Sequence, residues 1–499
     1  MNILLLYPKF PDTFWSFTYA IKFINKKAAY PPLGLLTVAA MLPESWAKRL
    51  VDLNIRKLSN EDIEWADIVF ISAMTIQKKS TDQIISKLKN KKPSIKIIGG
   101  GPLFTSEYTE YMSVIDHLIL NEAEVTLPNF LEDLKNNGNP KKIYSSNEYC
   151  DLKKSPIPLW NILNMDDYAS MSIQASRGCP FNCEFCNVTA LFGHKPRIKS
   201  VKQIIDELNA IYKNGWRGRV FFVDDNFIGN KKYIKTEVLP AIIEWRKGKK
   251  GIVFNTQASI NLADDQELMD LMAKAGFDSV FIGIETPEED SLSECNKKQN
   301  KSRNLIQDIR NIQRAGLEVQ AGFIVGFDND TPSIFKRQIE FIQKSGIVTA
   351  MVGILQAPIG TRLYERLKKE GRILGYMTGD NVDGTTNIMP KMGMDILLKG
   401  YKYIMANIYS VENYYKRIKR FLKEYQPIKV HEQINKNRIL AFLKANIKLG
   451  IIGKERRHYW NTIIWTLTHK PKLFPFTITF AIYGYHFRKI CRNNLGIKI

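Results

Sequence analysis

The sequence predicts an α/β protein in three parts: a Rossmann-like (flavodoxin-like) parallel sheet, a partial (β/α)6 barrel of the TIM type, and a mostly helical, basic C-terminal domain. Three observations lead to this fold class. A chain of 499 residues accommodates three domains at about 150 residues each. Short apolar runs alternate with helical patterns over residues 1–135 and again from residue 171 onwards. The last 99 residues contain 20 Lys and Arg against 4 Asp and Glu.

These changes in pattern predict the domain boundaries. We expect the first domain over 1–140, a linker over 141–168, the barrel over 169–395 and the basic domain over 396–499. The linker is rich in Asn, Lys, Ser and Pro and has little hydrophobic periodicity, which is typical of a connection between domains.

In the first domain, apolar runs predict five strands, at 3–7, 49–53, 68–72, 95–99 and 117–120, with helices between them, including 33–42 and 81–88. Ligands of such sheets bind beyond the carboxyl ends of the strands. Gly99, Gly100 and Gly101 lie at one such end, where they either let the backbone approach a bulky ligand or form a tight turn. No G-x-G-x-x-G motif follows the first strand, which disfavours a standard nicotinamide site.

The second domain repeats the βα rhythm. After a first strand near residue 171, strands are expected at 219–224, 252–257, 279–285, 319–326 and 349–354, and helices at 201–214, 265–275, 303–315 and 334–345. Asp224, Asp225 and Glu285 end two of these strands. Since active sites of parallel barrels lie at the C-terminal rim, we expect the site there.

Composition limits the compartment and the partners. Six cysteines are too few for a disulfide scaffold, and residues 1–8 lack the basic region and the cleavage site of a signal peptide, so we expect a cytoplasmic protein. The longest nearly uncharged run, 473–487, has 15 residues, fewer than the roughly 20 of a membrane-spanning helix. The net charge of +22 lies mostly in the tail and predicts an anionic partner.

Three of the cysteines, Cys179, Cys183 and Cys186, form a C-x3-C-x2-C motif after the first barrel strand. Three thiolates on one loop can hold three irons of an iron–sulfur cluster and leave the fourth iron open for a ligand. A zinc site is the alternative, but structural zinc takes four ligands, and the nearest histidine, His194, lies eight residues further on.

With the aromatic Phe185 before its last cysteine, this motif resembles that of the cobalamin-dependent radical S-adenosylmethionine superfamily, and the order of the domains agrees. Segments 10–17, 221–230 and 481–488 look like the branch that contains bacterial hopanoid methylases and archaeal tetraether ring synthases. The resemblance covers nearly the whole chain. It implies a [4Fe-4S] cluster, S-adenosylmethionine and cobalamin as cofactors.

The resemblance also implies roles for particular residues. The three cysteines would ligate the cluster, and Phe185 would flank the adenine of S-adenosylmethionine. The other contacts expected for S-adenosylmethionine are Asp224 and Asp225 for the amino group, Gln257, Ser259 and Glu285 for the ribose, and Gly322 for the adenine. A strand-end Asp could instead cap a helix, and Gly322 could serve close packing.

For cobalamin, the candidate contacts are Met74, Thr75, Gln77, Gly99, Gly100 and Gly101. A D-x-H-x-x-G motif would supply a histidine below cobalt, but after the second strand Asn54 stands where that histidine should be. Many radical members lack this histidine, and the resemblance therefore implies cobalamin bound without a protein nitrogen.

The function implied is radical methylation of an unactivated carbon in a hopanoid- or isoprenoid-like lipid, with an external electron donor. A radical lipid cyclase or C–C coupling enzyme is one alternative. A non-catalytic iron–sulfur protein that binds membrane or RNA is another. We expect residues 401–499 to dock on an anionic membrane, which would make the protein peripheral at its inner face. A solvated helical cap would also explain the charge, while the apolar clusters of the tail disfavour nucleic acid.

Overall fold

The structure is a computed structural model that describes residues 1–136, 140–380, 382–427 and 436–497. A first parallel sheet has the order β2-β1-β3-β4-β5-β6. Its beginning, 2-1-3-4-5, is the flavodoxin-like order, which confirms the predicted fold class. The strands are β1 (Asn2–Tyr7), β2 (Ala47–Asp52), β3 (Ile68–Ser72), β4 (Lys96–Gly100), β5 (His117–Ile119) and β6 (Ile143–Tyr144).

Helices connect these strands, and all except the first bury apolar faces against the sheet. They are α1 (Thr18–Ile21), α2 (Leu33–Met41), α3 (Asn60–Trp65), α4 (Lys78–Lys91), α5 (Pro102–Tyr111) and α6 (Ala123–Asn136). The edge strand β6 lies inside the stretch predicted as a linker, where Ile143 pairs with Leu118. Two residues are too few to produce a strand periodicity, which is why β6 was not predicted.

The second sheet is also fully parallel, and its six strands follow the chain order β7-β10-β11-β12-β13-β14. The two end strands, β7 and β14, do not pair, so the barrel is a partial one, as expected. The strands are β7 (Ser170–Ile173), β10 (Arg219–Phe222), β11 (Val253–Gln257), β12 (Phe277–Glu285), β13 (Glu318–Val325) and β14 (Ala350–Ile354). A separate antiparallel pair, β8 (Ser176–Arg177) and β9 (Arg197–Ile198), follows β7.

Nine helices surround the barrel strands or follow them: α7 (Val188–Phe192), α8 (Val201–Lys213), α9 (Lys231–Tyr233), α10 (Leu239–Arg246), α11 (Gln266–Ala275), α12 (Glu289–Glu294), α13 (Leu305–Arg314), α14 (Ser333–Ser345) and α15 (Arg362–Lys369). The amphipathic patterns predicted the longer ones closely. In α8, for example, Ser200 caps the first turn and Ile204, Leu208 and Ile211 face the core.

The C-terminal part is helical, as predicted: α16 (Met394–Ile408), α17 (Val411–Glu424), α18 (Lys436–Ala445), α19 (Arg456–His469) and α20 (Phe474–Leu495). These helices share one hydrophobic core with the barrel and with the segment after β1. Phe14 stacks on Phe487 with ring centroids 4.8 Å apart, and Phe14 O lies 3.0 Å from His486 Nε2. Two of the segments that carried the family resemblance, 10–17 and 481–488, therefore pack against each other.

Within the described ranges, no helix has the length and apolar character that crossing a membrane requires.

Candidate active site

The three cysteines lie on the loop between β8 and α7. Cys183 is buried, and Cys179 and Cys186 are partly exposed. Burial raises the pKa of the Cys179 thiol, and it raises that of Cys186 to about 12. No three His, Cys, Asp or Glu side chains of the described residues converge on one metal ion. Three cysteines on one loop suit a [4Fe-4S] cluster, because such a cluster gives each cysteine its own iron.

Neighbouring elements hold this loop firmly. Arg366 of α15 donates to both carboxylate oxygens of Glu184, at 2.8 and 3.1 Å. The amide of Asn296 donates to Asn182 O at 2.7 Å. At Gly178 the backbone has φ +93°, and a Cβ would lie 2.9 Å from Lys195 O, so only glycine fits there without strain. The loop is thus tied to α15 and to the segment after α12.

A buried ion pair lies beside the thiols. Lys297 Nζ donates to Glu285 Oε1 at 2.7 Å and lies 5.9 Å from the centre of the Phe185 ring. Glu285 ends β12 with φ +66°, a strained conformation for a residue other than glycine. Such strain is frequent at functional sites. Glu285 and Phe185 were predicted as site residues, whereas Lys297 was not, because its spacing from Glu285 follows no motif.

The two aspartates after β10 hold the backbone near the cysteine loop. Asp224 is fully buried, and its carboxylate accepts hydrogen bonds from Ala175 N at 3.1 Å and Ser176 Oγ at 2.5 Å. Burial raises the pKa of Asp224 to about 7. Asp225 accepts from Gly178 N at 2.9 Å and is partly exposed. Asp225 therefore has more accessible surface toward the loop than Asp224 has.

The remaining rim candidates lie nearby. Gln257 ends β11 and is partly exposed, while Ser259 hydrogen-bonds Asn226 and Asn261. Gly322 lies opposite Gly283 on the neighbouring strand, and a Cβ at Gly322 would come within 3.0 Å of the Phe281 ring. The absence of a side chain at 322 thus leaves room for Phe281.

Alternate residues of the barrel strands are only partly buried. On β10, Val220 and Phe222 are buried toward the helices, whereas Phe221 between them is only partly buried. Trp15 enters from the segment after β1: its ring lies 5.2 Å from Phe281, and its Nε1 lies 2.6 Å from Met351 Sδ. Other partly exposed strand residues of the same alternation include Asn255, Gln257, Phe281, Gly283, Gln320, Ile324 and Met351. We call this set, with Trp15 and Phe221, the barrel lumen.

The cobalamin candidates lie at the carboxyl edge of the first sheet. Met74 is exposed, whereas Gln77 is fully buried and donates to Pro8 O at 2.5 Å. Thr75 begins the short helix that contains Gln77. A Cβ at Gly99 would meet Phe104 and Ile115, and at Gly101 the backbone has φ +92°. Gly99 therefore serves close packing, and Gly101 is the residue of this run that needs glycine's backbone freedom.

Asn54, which stands where the cobalt-ligating histidine was sought, uses its whole amide group within the protein. Its Oδ1 accepts from Phe10 N at 2.9 Å, and its Nδ2 donates to Asp52 at 2.7 Å and to Pro8 O at 3.3 Å. The Asn54 side chain thus connects the loops after β1 and β2 by hydrogen bonds.

Buried ion pairs join the first sheet to the cysteine loop. Arg177 donates to Glu122 at 2.9 Å and to Glu124 at 2.6 Å, and Arg197 donates to Glu122 at 2.8 Å. Burial alone would raise the pKa of Glu124, but the charge and hydrogen bonds of Arg177 lower it to about 2. This junction was not predicted, because no local pattern links residues more than 50 positions apart.

Comparisons with known proteins agree with this architecture. The B12 binding domain matches residues 23–131, the radical SAM superfamily matches 173–342, and a domain of unknown function (DUF4070) matches 361–496. An uncharacterized methyltransferase of Synechocystis is 39% identical, over 100% of this chain and 94% of its own length. The hopanoid C-2 methylase of Rhodopseudomonas palustris is 33% identical, over 90% of this chain and 84% of its own length.

Among solved structures, the cobalamin-dependent S-adenosylmethionine radical enzyme OxsB, with aqua-cobalamin and S-adenosylmethionine bound, superposes with a TM-score of 0.60. It is 18% identical, over 100% of this chain and 81% of its own. This likeness shows the same fold. The chain therefore belongs to the cobalamin-binding radical S-adenosylmethionine methyltransferases, whose cofactors are a [4Fe-4S] cluster, S-adenosyl-L-methionine and cobalamin.

Proposed function

We propose that the protein methylates an unactivated carbon of a hopanoid- or isoprenoid-like lipid. The observation that carries this proposal is the character of the barrel lumen. Trp15, Phe221, Phe281, Ile324 and Met351 present partly exposed apolar surface inside the barrel. Apolar groups inside a protein are normally packed out of contact with water, so this surface is suited to an apolar substrate.

In this proposal, Cys179, Cys183 and Cys186 hold the cluster. Lys297 contributes a positive charge near Cys179 and Cys186, which favours the negative charge of a bound cluster. Phe185, Asp225, Gln257, Ser259, Glu285 and Gly322 are the proposed surroundings of S-adenosylmethionine, with Asp224 supporting the loop from beneath.

Cobalamin would lie between the carboxyl edge of the first sheet and the barrel, against Met74, Thr75, Gln77 and the run Gly99, Gly100 and Gly101. Bound together, the cofactors supply radical chemistry at a C–H bond and a methyl group to replace the hydrogen. The chain's own residues position the lipid and exclude water. An external donor supplies electrons, and the enzyme works from the cytoplasm at the membrane that holds the lipid.

The test is a labelling experiment with anaerobically reconstituted protein. The protein is incubated with S-adenosylmethionine carrying a deuterated methyl group, cobalamin, a reductant and a lipid extract from the host. We expect deuterated methyl groups in lipid together with release of 5′-deoxyadenosine, and neither with the Cys183→Ala variant. Release of 5′-deoxyadenosine with altered but unlabelled lipid would contradict methyl transfer and indicate a cyclase or coupling enzyme.

A non-catalytic iron–sulfur protein would give a different result. It would bind the cluster and membrane or RNA, yet it would release no 5′-deoxyadenosine in the presence of any lipid fraction.

A further inference from the structure

One side of the C-terminal helices carries a row of exposed aliphatic residues. Ile439 and Leu443 of α18 are followed at the same interval by Ile447 and Ile451 in the π-helical stretch Asn446–Ile451. Each is more than half exposed, from 51% to 64%. Residues four apart lie on one face of a helix, so these four form a continuous apolar edge. Ile452, at 73%, extends it into the turn that follows.

A second apolar row lies on the adjacent helix α19. Trp460, Ile464 and Leu467 are spaced by four and three residues and are all exposed. The two rows meet where Trp460 Nε1 donates to Gly450 O at 2.9 Å. A Cβ at Gly450 would lie 3.0 Å from this indole, so the glycine allows the helices to approach. We call the eight residues the hairpin face: Ile439, Leu443, Ile447, Ile451, Ile452, Trp460, Ile464 and Leu467.

The hairpin face is unusually rich in exposed apolar side chains. It contributes eight of the twenty large apolar side chains that are exposed in the described part of the chain, within a stretch of 29 residues. Other faces of the same helices pack into the protein, through Ala441, Ala445, Leu449, Tyr459 and Ile463. The fold therefore does not use the hairpin face, and contiguous apolar surface of this kind marks an interaction site.

The surrounding charge indicates the partner. Residues 436–472 contain nine Lys and Arg and a single acidic residue, Glu455. Glu455 is buried and accepts a hydrogen bond from Arg488 at 2.5 Å, so it does not offset the basic surface. Lys454, Arg456 and Arg457 are exposed in and after the turn between the two apolar rows. Apolar residues bordered by basic ones suit the interface of an anionic membrane.

We propose that the hairpin face docks the protein on an anionic lipid bilayer, with its aliphatic residues in the headgroup region and the turn's basic residues against lipid phosphates. The inference rests on the proposed function in that the bilayer would hold the substrate, but the docking itself requires no catalysis.

The same helices contact the segment that leads from the barrel lumen. Lys444 Nζ donates to Lys22 O at 3.1 Å and to Asn25 at 2.5 Å, between Trp15 and Tyr30.

Flotation of the full-length protein with vesicles tests the proposal. Phosphatidylcholine vesicles with and without phosphatidylglycerol are compared at low and high salt. We expect flotation with the anionic vesicles, and much less with neutral vesicles or at high salt. Absence of flotation, or equal flotation with neutral vesicles, would overturn the proposal.

Two variants separate the apolar and basic contributions. The triple change Ile447→Ser, Ile451→Ser and Ile464→Ser should weaken vesicle binding on the order of a hundredfold, since three half-buried aliphatic groups are lost from the interface. Lys454→Gln, Arg456→Gln and Arg457→Gln together should weaken it by about as much at low salt. A matched control, Leu374→Ser with Ile396→Ser, changes equally exposed apolar residues elsewhere and should bind as the unaltered protein does.

A second measurement does not depend on how well these variants fold. Brominated lipids should quench the fluorescence of the unaltered protein, and Trp460→Phe should remove much of that quenching. If the serine variant floats normally but becomes monomeric where the parent is a dimer, the face is a contact between two copies instead, which overturns the proposal. Flotation without lipid methylation would contradict only the proposed function, and methylation without flotation only the docking.

Discussion

Arg177, two residues before Cys179, donates to the buried Glu122 at the end of the first sheet across 2.9 Å, and its own side chain is only 13% exposed. This ion pair joins the sheet expected to carry cobalamin to the loop expected to carry the cluster. The Arg177 guanidinium also donates to Glu124 at 2.6 Å. The relative position of the two cofactor-binding parts is therefore set by protein contacts.

Breaking this junction should destabilise the protein strongly. Arg177→Met leaves the buried Glu124 without its cation and Glu122 with Arg197 alone, and we expect a loss of about 3–5 kcal/mol in the free energy of unfolding. Urea unfolding followed by circular dichroism measures it. The control Lys202→Met breaks the exposed pair with Asp206 and should cost less than about 1 kcal/mol. Equal losses in both variants would contradict the buried junction.

A buried carboxyl at Glu318 should make stability fall as the pH rises. Burial, followed by the nearby Asp278, raises the pKa of Glu318 from 4.5 to about 7. The folded protein then holds a proton that the unfolded chain releases, so this contribution to stability is present below pH 4.5 and is lost between pH 4.5 and 7. This decline in the free energy of unfolding amounts to up to about 3 kcal/mol, and Glu318→Gln should remove it. Unfolding midpoints across this pH range test it, and an unchanged slope would contradict it.

Cobalamin should be bound without a nitrogen ligand from the protein. Because Asn54 uses its amide in three internal hydrogen bonds, it is not free to approach cobalt. We expect identical electron paramagnetic resonance spectra of the cob(II)alamin complex with unlabelled and with ¹⁵N-labelled protein. A change in hyperfine splitting upon labelling would show a protein nitrogen on cobalt and contradict this prediction.

Trp15 should shape the site for the lipid. Its ring contacts Phe281 and Met351 inside the barrel, so Trp15→Ala should lower kcat/KM for the lipid by about tenfold to a hundredfold. Trp15→Phe should restore most of the activity. The control Trp65→Ala, at the end of α3 and away from the barrel, should leave kcat/KM unchanged. Equal effects of the two alanine substitutions would indicate a general loss of structure and contradict a role for Trp15 in lipid binding.

Local patterns in the sequence were sufficient for much of the fold. Short apolar runs predicted β1 to β5 and the barrel strands, because a buried strand needs only a few consecutive apolar residues. The motif of Cys179, Cys183 and Cys186 could also be recognised, because all three residues lie on one loop. Contacts between distant parts were not accessible in this way. Lys297 beside Glu285, Arg177 beside Glu122, and Trp15 inside the barrel depend on how separate elements pack. The position of Asp224 at a strand end predicted a cofactor contact, whereas in the structure its carboxylate accepts hydrogen bonds from Ala175 N and Ser176 Oγ.

We propose that the reaction takes place at a C–H bond of a lipid. It is tested most directly by supplying lipids extracted from cells grown in deuterated water, with unlabelled S-adenosylmethionine and fully reconstituted protein. If hydrogen is removed from the lipid, deuterium appears in the 5′-deoxyadenosine that is released, and lipid of increased mass carries a new methyl group. Release of 5′-deoxyadenosine without deuterium, at the same rate with and without the lipid, would contradict removal of hydrogen from the lipid.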